Sequence, residues 1–333
     1  MKITIPRRWM LAGAAGAVLL TAWYAGSFFF RSRPAAASPA TPSTPGHLSP
    51  VDILVFSPHP DDDVLGCSGV IQQAIADGKQ VRVVFSTLGD AYTEAASLLL
   101  HKEATSLTET DYFELAKNRQ QEAINAEGLL GVPAENLVFL GYPDGVLARV
   151  ASAKTNAMVT SLFTHRSSTY GPIVTDYHSW AHGRAAPYYR DSVLGDFVEV
   201  LQQSTPERVY VADGADAHPD HAATFDLVKA AIAQTGYQGE LRTFLVHSHG
   251  SPDEWPWPHA ATPNRRYEQH TANGKTYPGD LPWPPDERVA LTPEQAEVKR
   301  QAIMAHATQW NLPENKIPLG AFVKADEVFW ANR

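Results

Sequence analysis

Short apolar runs typical of buried β-strands alternate along this chain with segments of helical periodicity, and this alternation restricts the fold more than any other feature. Strands are predicted at residues 51–57, 80–87, 136–140, 208–212 and 241–247. Helices are predicted at residues 67–76, 112–130, 192–202, 222–233 and 293–309. Because strands that are joined through helices form βαβ units, the sequence predicts an α/β domain with a mostly parallel sheet and helices on both faces.

Two segments interrupt this alternation. Residues 88–111 are long for a connection between a strand and a helix, which predicts a lid over a site. Residues 249–285 are rich in tryptophan and proline, and two interpretations of them stay open. Their rings form a wall on which a sugar stacks, or they pack on the surface of the domain.

An uncharged, mostly apolar run occupies residues 9–30. It is long enough to cross a bilayer as one helix, since about 20 apolar residues span the hydrocarbon core. A spacer rich in Pro, Ala, Ser and Thr follows at residues 34–50. We therefore predict a membrane anchor or signal segment at residues 1–33, a linker at residues 34–50, and one domain at residues 51–333.

The flanks of the apolar run indicate an orientation. The basic residues that precede it favour an N-terminus inside the cytoplasm, which places the domain outside, in a periplasmic or extracellular location. The run is longer than the usual hydrophobic region of a signal peptide, and this favours an uncleaved anchor. If the segment is cleaved, the domain is secreted.

Charge and cysteine content narrow the possible partners and chemistry. The formal net charge is −9, and the first 50 residues carry no acidic side chain, so the acidic residues all belong to the domain. An acidic surface repels phosphate backbones and anionic headgroups, so we expect no nucleic acid partner and membrane contact only through the N-terminal helix. The single cysteine, Cys67, cannot form an intrachain disulfide, and we favour a packed thiol over a ligand or nucleophile.

Polar residues crowd directly after the first predicted strand: His59, Asp61, Asp62 and Asp63. Ligands of open α/β sheets bind at the carboxyl ends of strands. Three carboxylates without basic neighbours repel one another unless a cation offsets their charge. An aspartate that caps the next helix would account for one of the acids, but not for three together with a histidine. This cluster therefore predicts a metal site.

A second polar cluster follows the strand at residues 208–212 and ends in His-Pro-Asp-His at residues 218–221. The proline is typical of a helix start, so His218 and His221 lie three residues apart on neighbouring positions of one helical face. Alone, this pattern is compatible with a histidine that caps a helix. Together with the first cluster at an edge of the same sheet, it predicts one shared metal centre.

The two clusters resemble the paired signature of the zinc-dependent de-N-acetylases called PIG-L or LmbE-like. The family's (A/P)HPDD(E/D) loop stands here at residues 58–63, and its later HPDH stands at residues 218–221. The chain departs from the usual pattern at Asp63, where glutamate is common, and at Pro58, where alanine is common. Further positions that resemble the family are Arg119, Glu122, the turn at residues 141–145, and Lys299.

The resemblance implies a Rossmann-like, three-layer fold and one Zn²⁺ held by His59, Asp62 and His221. Two imidazoles and one carboxylate leave a coordination position for water, as in catalytic zinc sites. It also implies that Asp61 is the general base and that His218 stabilises the oxyanion and protonates the leaving amine. The implied activity is hydrolysis of the N-acetyl amide of an N-acetylglucosamine-type sugar or glycoconjugate, with release of acetate.

Other residues are weaker candidates. Arg119 and Asp144 are predicted substrate contacts, although a helical arginine is equally compatible with a surface ion pair. Asp220 is predicted to orient a histidine by accepting its hydrogen bond. His178 and His182 have the i, i+4 spacing of a zincin pair but lack its glutamate. We interpret them as packing residues, or as the rim of a sugar cleft, rather than as ligands.

Two other functions stay open. A glycan-binding protein on the same fold, with reduced catalysis, would not need Asp61 and His218, whose presence disfavours it. A phosphohydrolase that binds magnesium through the acid cluster is disfavoured by His59 and His221, because imidazoles suit zinc. His247 ends a strand at the same sheet edge, and the sequence assigns it no role.

Overall fold

The computed structural model describes the chain over residues 46–154, 157–249, 254–279 and 281–331. The predicted anchor at residues 1–33 lies outside the described residues, and so does the predicted linker as far as residue 45. Within the described ranges, no helix combines the length and the apolar character needed to cross a membrane. The boundaries predicted for the anchor, linker and domain stay predictions.

The secondary structure follows the predicted alternation. The strands are β1 (Ile53–Ser57), β2 (Val81–Thr87), β3 (Leu137–Tyr142), β4 (Arg208–Ala212), β5 (Glu240–Phe244), β6 (His270–Ala272), β7 (Lys275–Tyr277), β8 (Glu287–Ala290) and β9 (Asp326–Ala331). The helices are α1 (Asp62–Ala76), α2 (Thr93–Leu100), α3 (Glu109–Leu130), α4 (Leu147–Ala151), α5 (Tyr177–His182), α6 (Arg190–Ser204), α7 (Pro219–Thr235), α8 (Pro293–Ala305), α9 (Ala307–Trp310) and α10 (Lys316–Gly320).

A seven-stranded sheet forms the centre of the domain, in the order β3-β2-β1-β4-β5-β9-β8. Strands β1 to β5 pair in parallel, whereas β9 and β8 pair antiparallel. The predicted mixed α/β fold with a mostly parallel sheet is therefore confirmed. Strands β8 and β9 were not predicted, because charged residues such as Arg288 and Glu327 interrupt the apolar run that marks a buried strand.

Apolar side chains of β1 alternate between two cores, one on each face of the sheet. Val55 belongs to the core that is covered by α1, α3 and α8. Phe56 belongs to the opposite core, which is covered by α4, α6 and α7. Because both faces of a parallel sheet are buried in this way, its strands read as continuous apolar runs. The result is three layers, with the sheet between two layers of helices.

Helix α1 begins at Asp62, five residues before the predicted start. Asp62 and Asp63 therefore occupy its first turn, where carboxylates complement the positive end of the helix dipole. Cys67 is fully buried in this helix, which confirms a packed thiol. Burial raises the pKa of the Cys67 thiol well above its ordinary value and so disfavours the reactive thiolate.

The segment predicted as a lid contains a packed helix. Residues 88–111 contain α2, and its Ala95 and Ala96 are fully buried in a small separate core. Tyr92, the residue before α2, lines the cleft that is described below. The segment therefore borders the site, and a helix with two buried alanines forms about a third of it.

Candidate metal centre

Both polar clusters lie where the two halves of the sheet diverge. Strands β1 and β4 are parallel neighbours, and the chain continues from β1 towards β2 and β3 on one side and from β4 towards β5 on the other. In open α/β sheets, ligands bind in the crevice at such a switch point, at the carboxyl ends of the strands. The loops that follow β1 and β4 carry the predicted metal ligands to this crevice.

The three predicted metal ligands meet in one triangle. His59 Nδ1 lies 3.1 Å from Asp62 Oδ2 and 3.1 Å from His221 Nε2, and the last two atoms are also 3.1 Å apart. A tetrahedral zinc ion with bonds of about 2.0–2.1 Å separates its ligand atoms by about 3.3–3.4 Å. Two imidazole nitrogens and one carboxylate oxygen at this spacing therefore fit one zinc ion.

His59 is held from its far side by carboxylates. Its Nε2 lies 3.1 Å from Asp144 Oδ1 and 3.7 Å from Asp220 Oδ2. Asp220 accepts hydrogen bonds from the backbone N–H groups of Gly145 (2.7 Å) and Ala148 (3.3 Å). Asp144 is the closer carboxylate to His59, at 3.1 Å against 3.7 Å for Asp220, so the role of Asp220 in orienting a histidine stays a prediction.

Asp216 holds the ring of His221 from its far side, as Asp144 holds that of His59. Its Oδ2 lies 3.2 Å from His221 Nδ1 and accepts hydrogen bonds of 3.0 Å from the backbone N–H groups of Val246 and His247. Its Oδ1 accepts a hydrogen bond from His218 N. The carboxylate is 4 % exposed and held on both sides, so it fixes the ring of a ligand, as outer carboxylates of metal sites do.

Electrostatics at the triangle favour positive charge. Burial lowers the pKa of His221, but the charges of Asp62 and Asp216 outweigh burial and raise this pKa to about 9. Burial also lowers the pKa of His59, and the charge of Asp144 more than reverses it, so the pKa lies well above its ordinary value. A divalent cation would be stabilised by the same excess of carboxylates.

Asp61 has an unusual backbone conformation beside the triangle. Its φ of 137° is one that L-residues rarely adopt, and such conformations cost about 1–3 kcal/mol and concentrate at functional sites. Asp61 stands at the N-cap of α1 without capping it, and its carboxylate lines the cleft. Burial raises the pKa of Asp61 to about 7, although the nearby Arg119 guanidinium opposes the shift.

His218 faces both histidines of the triangle. Its ring centroid lies 4.7 Å from that of His59 and 4.9 Å from that of His221. His218 Nδ1 accepts a hydrogen bond of 3.3 Å from the backbone N–H of Asp220, so the ring proton resides on Nε2. Burial, together with the neighbouring histidines, lowers the pKa of His218 to about 4. The ring is therefore neutral and a hydrogen-bond donor at neutral pH.

Arg119 holds the loops around the triangle together. It is 4 % exposed, which excludes the surface ion pair considered above. It donates hydrogen bonds to the carbonyl oxygens of Gly89 (2.9 Å) and Pro60 (2.7 Å), and its Nη2 lies 3.4 Å from Asp61 Oδ2. Arg119 and Asp144 both line the cleft, so their predicted contact with substrate stays a prediction.

The triangle borders a cleft of about 720 Å³, which His59 and Asp62 line. His247, to which the sequence assigned no role, also lines this cleft. Its ring centroid lies 5.0 Å from that of His221. The one sequence signal for this place in the cleft was the position of His247 after β5, at the sheet edge where the two polar clusters lie. Other side chains that line the cleft are Tyr92, Phe163, Trp255, Gln309 and Phe322.

Trp255 of the Trp/Pro segment packs on the domain. Trp255 is 4 % exposed, and its ring contacts Tyr267, Trp283 and Trp330. Its indole N–H donates to the carbonyl oxygen of Leu245. Since Trp255 also lines the cleft, the packing interpretation holds for this ring, while one edge of it borders the site.

Comparisons with known proteins agree on one family. The family model described as PIG-L, GlcNAc-PI de-N-acetylase, matches residues 54–232. The chain is 27% identical over 281 residues to a 1D-myo-inositol 2-acetamido-2-deoxy-alpha-D-glucopyranoside deacetylase of Saccharopolyspora erythraea, an alignment that covers 78% of each chain. It is 25% identical over 285 residues to the protein of that name from Rhodococcus jostii, with 77% of this chain and 81% of that protein covered.

A solved structure supports the fold. The crystal structure of the antimicrobial reagent A40926 pseudoaglycone deacetylase superposes with a TM-score of 0.50 at 20% sequence identity. The superposition covers 84% of this chain and 96% of that one. Similarity at this level of identity concerns the α/β architecture alone.

Proposed function

Because the chain belongs to the PIG-L family of GlcNAc-PI de-N-acetylases, and is thus a deacetylase that hydrolyses amide bonds, we propose that it removes the N-acetyl group of an N-acetylglucosamine-type sugar or glycoconjugate with one zinc ion. The relatives from Saccharopolyspora erythraea and Rhodococcus jostii, which are named as deacetylases of an acetamido-glucopyranoside, support this substrate class. The observation that carries the proposal is the triangle of His59, Asp62 and His221, whose three sides are each 3.1 Å.

His59, Asp62 and His221 would hold the zinc ion. When bound, zinc supplies a Lewis acid that polarises the amide carbonyl and lowers the pKa of a water molecule. Asp144 and Asp216 keep the two imidazoles in position from the far side, at 3.1 Å and 3.2 Å. The protein thereby fixes the ligand geometry before substrate arrives.

Asp61 is placed to take the proton of the attacking water. It is next to a ligand in sequence, its carboxylate lines the cleft, and Arg119 restrains it at 3.4 Å. As the water oxygen bonds to the carbonyl carbon, the water proton passes to Asp61. When the C–N bond breaks, this proton is available for the leaving amine, and acetate is the other product.

His218 is placed to stabilise charge on the amide oxygen. Its Nε2–H is free for this purpose, because Nδ1 already accepts a hydrogen bond from Asp220 N. The other predicted role, protonation of the amine, requires a second ring proton on Nδ1. We propose that Asp61, which takes the water proton, also passes it to the amine; the role of His218 in protonating the amine stays a prediction.

Replacing Asp61 with asparagine tests the reaction. We expect kcat for acetate release to fall by about 10²–10⁴, the usual contribution of a general base, while the bound metal is retained. The measurement is a mass-spectrometric screen of N-acetylated sugars for loss of an acetyl group. Asp77→Asn, an exposed aspartate at the other end of α1, is the matched control.

Two outcomes of this screen would contradict the proposal. Zinc-loaded wild-type protein that deacetylates none of the sugars would show that this substrate class is wrong. If Asp61→Asn binds a sugar and behaves like the wild type in every assay, the glycan-binding function becomes the better interpretation.

We further propose that residues 1–33 anchor the chain in a membrane, with the deacetylase domain outside the cytoplasm. The uncharged run at residues 9–30 and the spacer at residues 34–50 support this location. We expect the full chain to sediment with membranes and a chain without residues 1–33 to stay in the supernatant. External protease should digest the domain when the cytoplasmic membrane is intact and any outer membrane has been permeabilised. A full chain that stays in the supernatant, or a domain that under these conditions is digested only after the cytoplasmic membrane is lysed, would contradict this location.

A further inference from the structure

A second group of metal-binding side chains lies between α5 and α6. His178 and His182 are spaced i, i+4 on α5, with ring centroids 4.4 Å apart. His178 Nδ1 lies 2.8 Å from Asp196 Oδ1, and His182 Nε2 lies 2.9 Å from Glu199 Oε2. One ligand atom from each of His178, His182 and Asp196 can be chosen so that all three lie within 4.8 Å of one another. None of the four side chains lines the deacetylase cleft in the described part of the chain.

The carboxylates of this group are held in place from outside. The Tyr142 hydroxyl donates a hydrogen bond of 2.7 Å to Asp196 Oδ2, which leaves Oδ1 towards His178. Gln203 Nε2 donates a hydrogen bond of 3.0 Å to Glu199 Oε1, which leaves Oε2 towards His182. Outer partners that fix one oxygen of each carboxylate are typical of metal sites.

The charges of the group suit one divalent ion. Such an ion would neutralise the two carboxylates, and the two imidazoles, with ring centroids 4.4 Å apart, would supply nitrogen ligands. His182 is 37% exposed at its side chain, so an ion can reach the group and this ring can move to complete the coordination.

We propose that His178, His182, Asp196 and Glu199 bind a second zinc ion with a structural role. The ligand atoms of His178, His182 and Asp196 lie within 4.8 Å of one another, and Glu199 would become the fourth ligand when the exposed His182 ring turns. Two imidazoles and two carboxylates would then complete a four-coordinate site without a position for water, as in structural zinc sites. This proposal differs from the interpretation of His178 and His182 as packing or rim residues. It is independent of the deacetylase proposal, because the two sites share no residue.

Such an ion would stabilise the end of the linker as well as helices α5 and α6. Gln203, which holds Glu199, also accepts a hydrogen bond of 2.6 Å from Leu48 N and donates one of 3.4 Å to the carbonyl oxygen of Gly46. Leu48 is buried, so the chain enters the domain against α6 at this point. The ion would therefore stabilise α5, α6 and the end of the linker together.

Metal content of four full-length proteins tests the proposal. We expect two zinc ions per wild-type chain, one in His221→Ala, one in His182→Ala, and none in the variant that carries both substitutions. His182→Ala is expected to keep deacetylase activity. His165→Ala is the matched control, since His165 pairs with Glu109 at 2.6 Å on the surface and should leave the count at two.

A thermal readout checks the site without counting ions. Added zinc should raise the Tm of His221→Ala and leave the Tm of the double variant unchanged. One ion in the wild type, together with none in His221→Ala, would show that the group consists only of histidine–carboxylate ion pairs. One ion in the wild type that persists in His221→Ala and is lost in His182→Ala would support the second site and contradict the catalytic one.

Discussion

His221→Ala is expected to lose the catalytic metal, and its kcat/KM is expected to fall by a factor of about 10³–10⁴. The substitution removes one of three ligands, and this imidazole is fully buried at the junction of the two loops. Lewis-acid assistance contributes several kcal/mol, and each 1.36 kcal/mol corresponds to a factor of ten in rate. The measurements are metal content by elemental mass spectrometry and kcat/KM for acetate release.

Matched controls separate loss of the ion from loss of the fold. His47→Ala replaces an exposed histidine and should change neither quantity. Treatment of the wild type with a chelator should reproduce the loss of activity, and added zinc should restore the wild type but not His221→Ala. A folded His221→Ala protein with wild-type kcat/KM would show that the triangle is not the catalytic centre.

Lys299→Met is expected to destabilise the domain by about 3–5 kcal/mol, the usual cost of removing one partner of a buried ion pair. Lys299 Nζ lies 2.7 Å from Glu327 Oε1, and both side chains are almost completely buried. Lys299 also donates to the carbonyl oxygen of Leu65, and Glu327 accepts from the backbone N–H groups of Gly69 and Val70. The pair thus joins α8, β9 and α1, the helix that begins with the predicted metal ligand Asp62.

Two variants test whether the unpaired charge is the cause. Lys299→Met with Glu327→Leu removes both charges and should recover part of the stability, because no buried charge remains uncompensated. Arg300→Met removes the neighbouring cation of α8, whose pair with Glu297 is on the surface, and should have little effect. Denaturant unfolding gives the free energies. Lys299→Met with wild-type stability would contradict the expectation.

The sequence predicted the ligands of the triangle because two short motifs carry them. Both motifs follow strands, and the rule that parallel strands end at one edge was sufficient to bring His59 and His221 together. The carboxylates that hold the two histidine rings from behind could not be predicted from strand ends. Asp144 and Asp216 reach the two rings through loop geometry after β3 and β4, which local residue patterns do not encode.

Elements outside the parallel core were also hard to predict. The charged residues of β8 and β9 have partners that are distant in sequence, such as Glu327 with Lys299, so their local pattern is not that of a buried strand. The early start of α1 was also missed, because apolar periodicity does not mark its first turn. Asp62 and Asp63 favour its first turn through the helix dipole, whereas the apolar periodicity begins only after them.

The two histidines of the triangle are separated by 162 positions in the chain. They meet only after β1 and β4 have paired, so a chain leaving the ribosome presents His59 and Asp62 long before it can offer His221. The zinc ion that we propose would therefore enter a finished fold rather than nucleate one. The metals present where folding is completed, not those present where translation begins, would then decide which ion is bound.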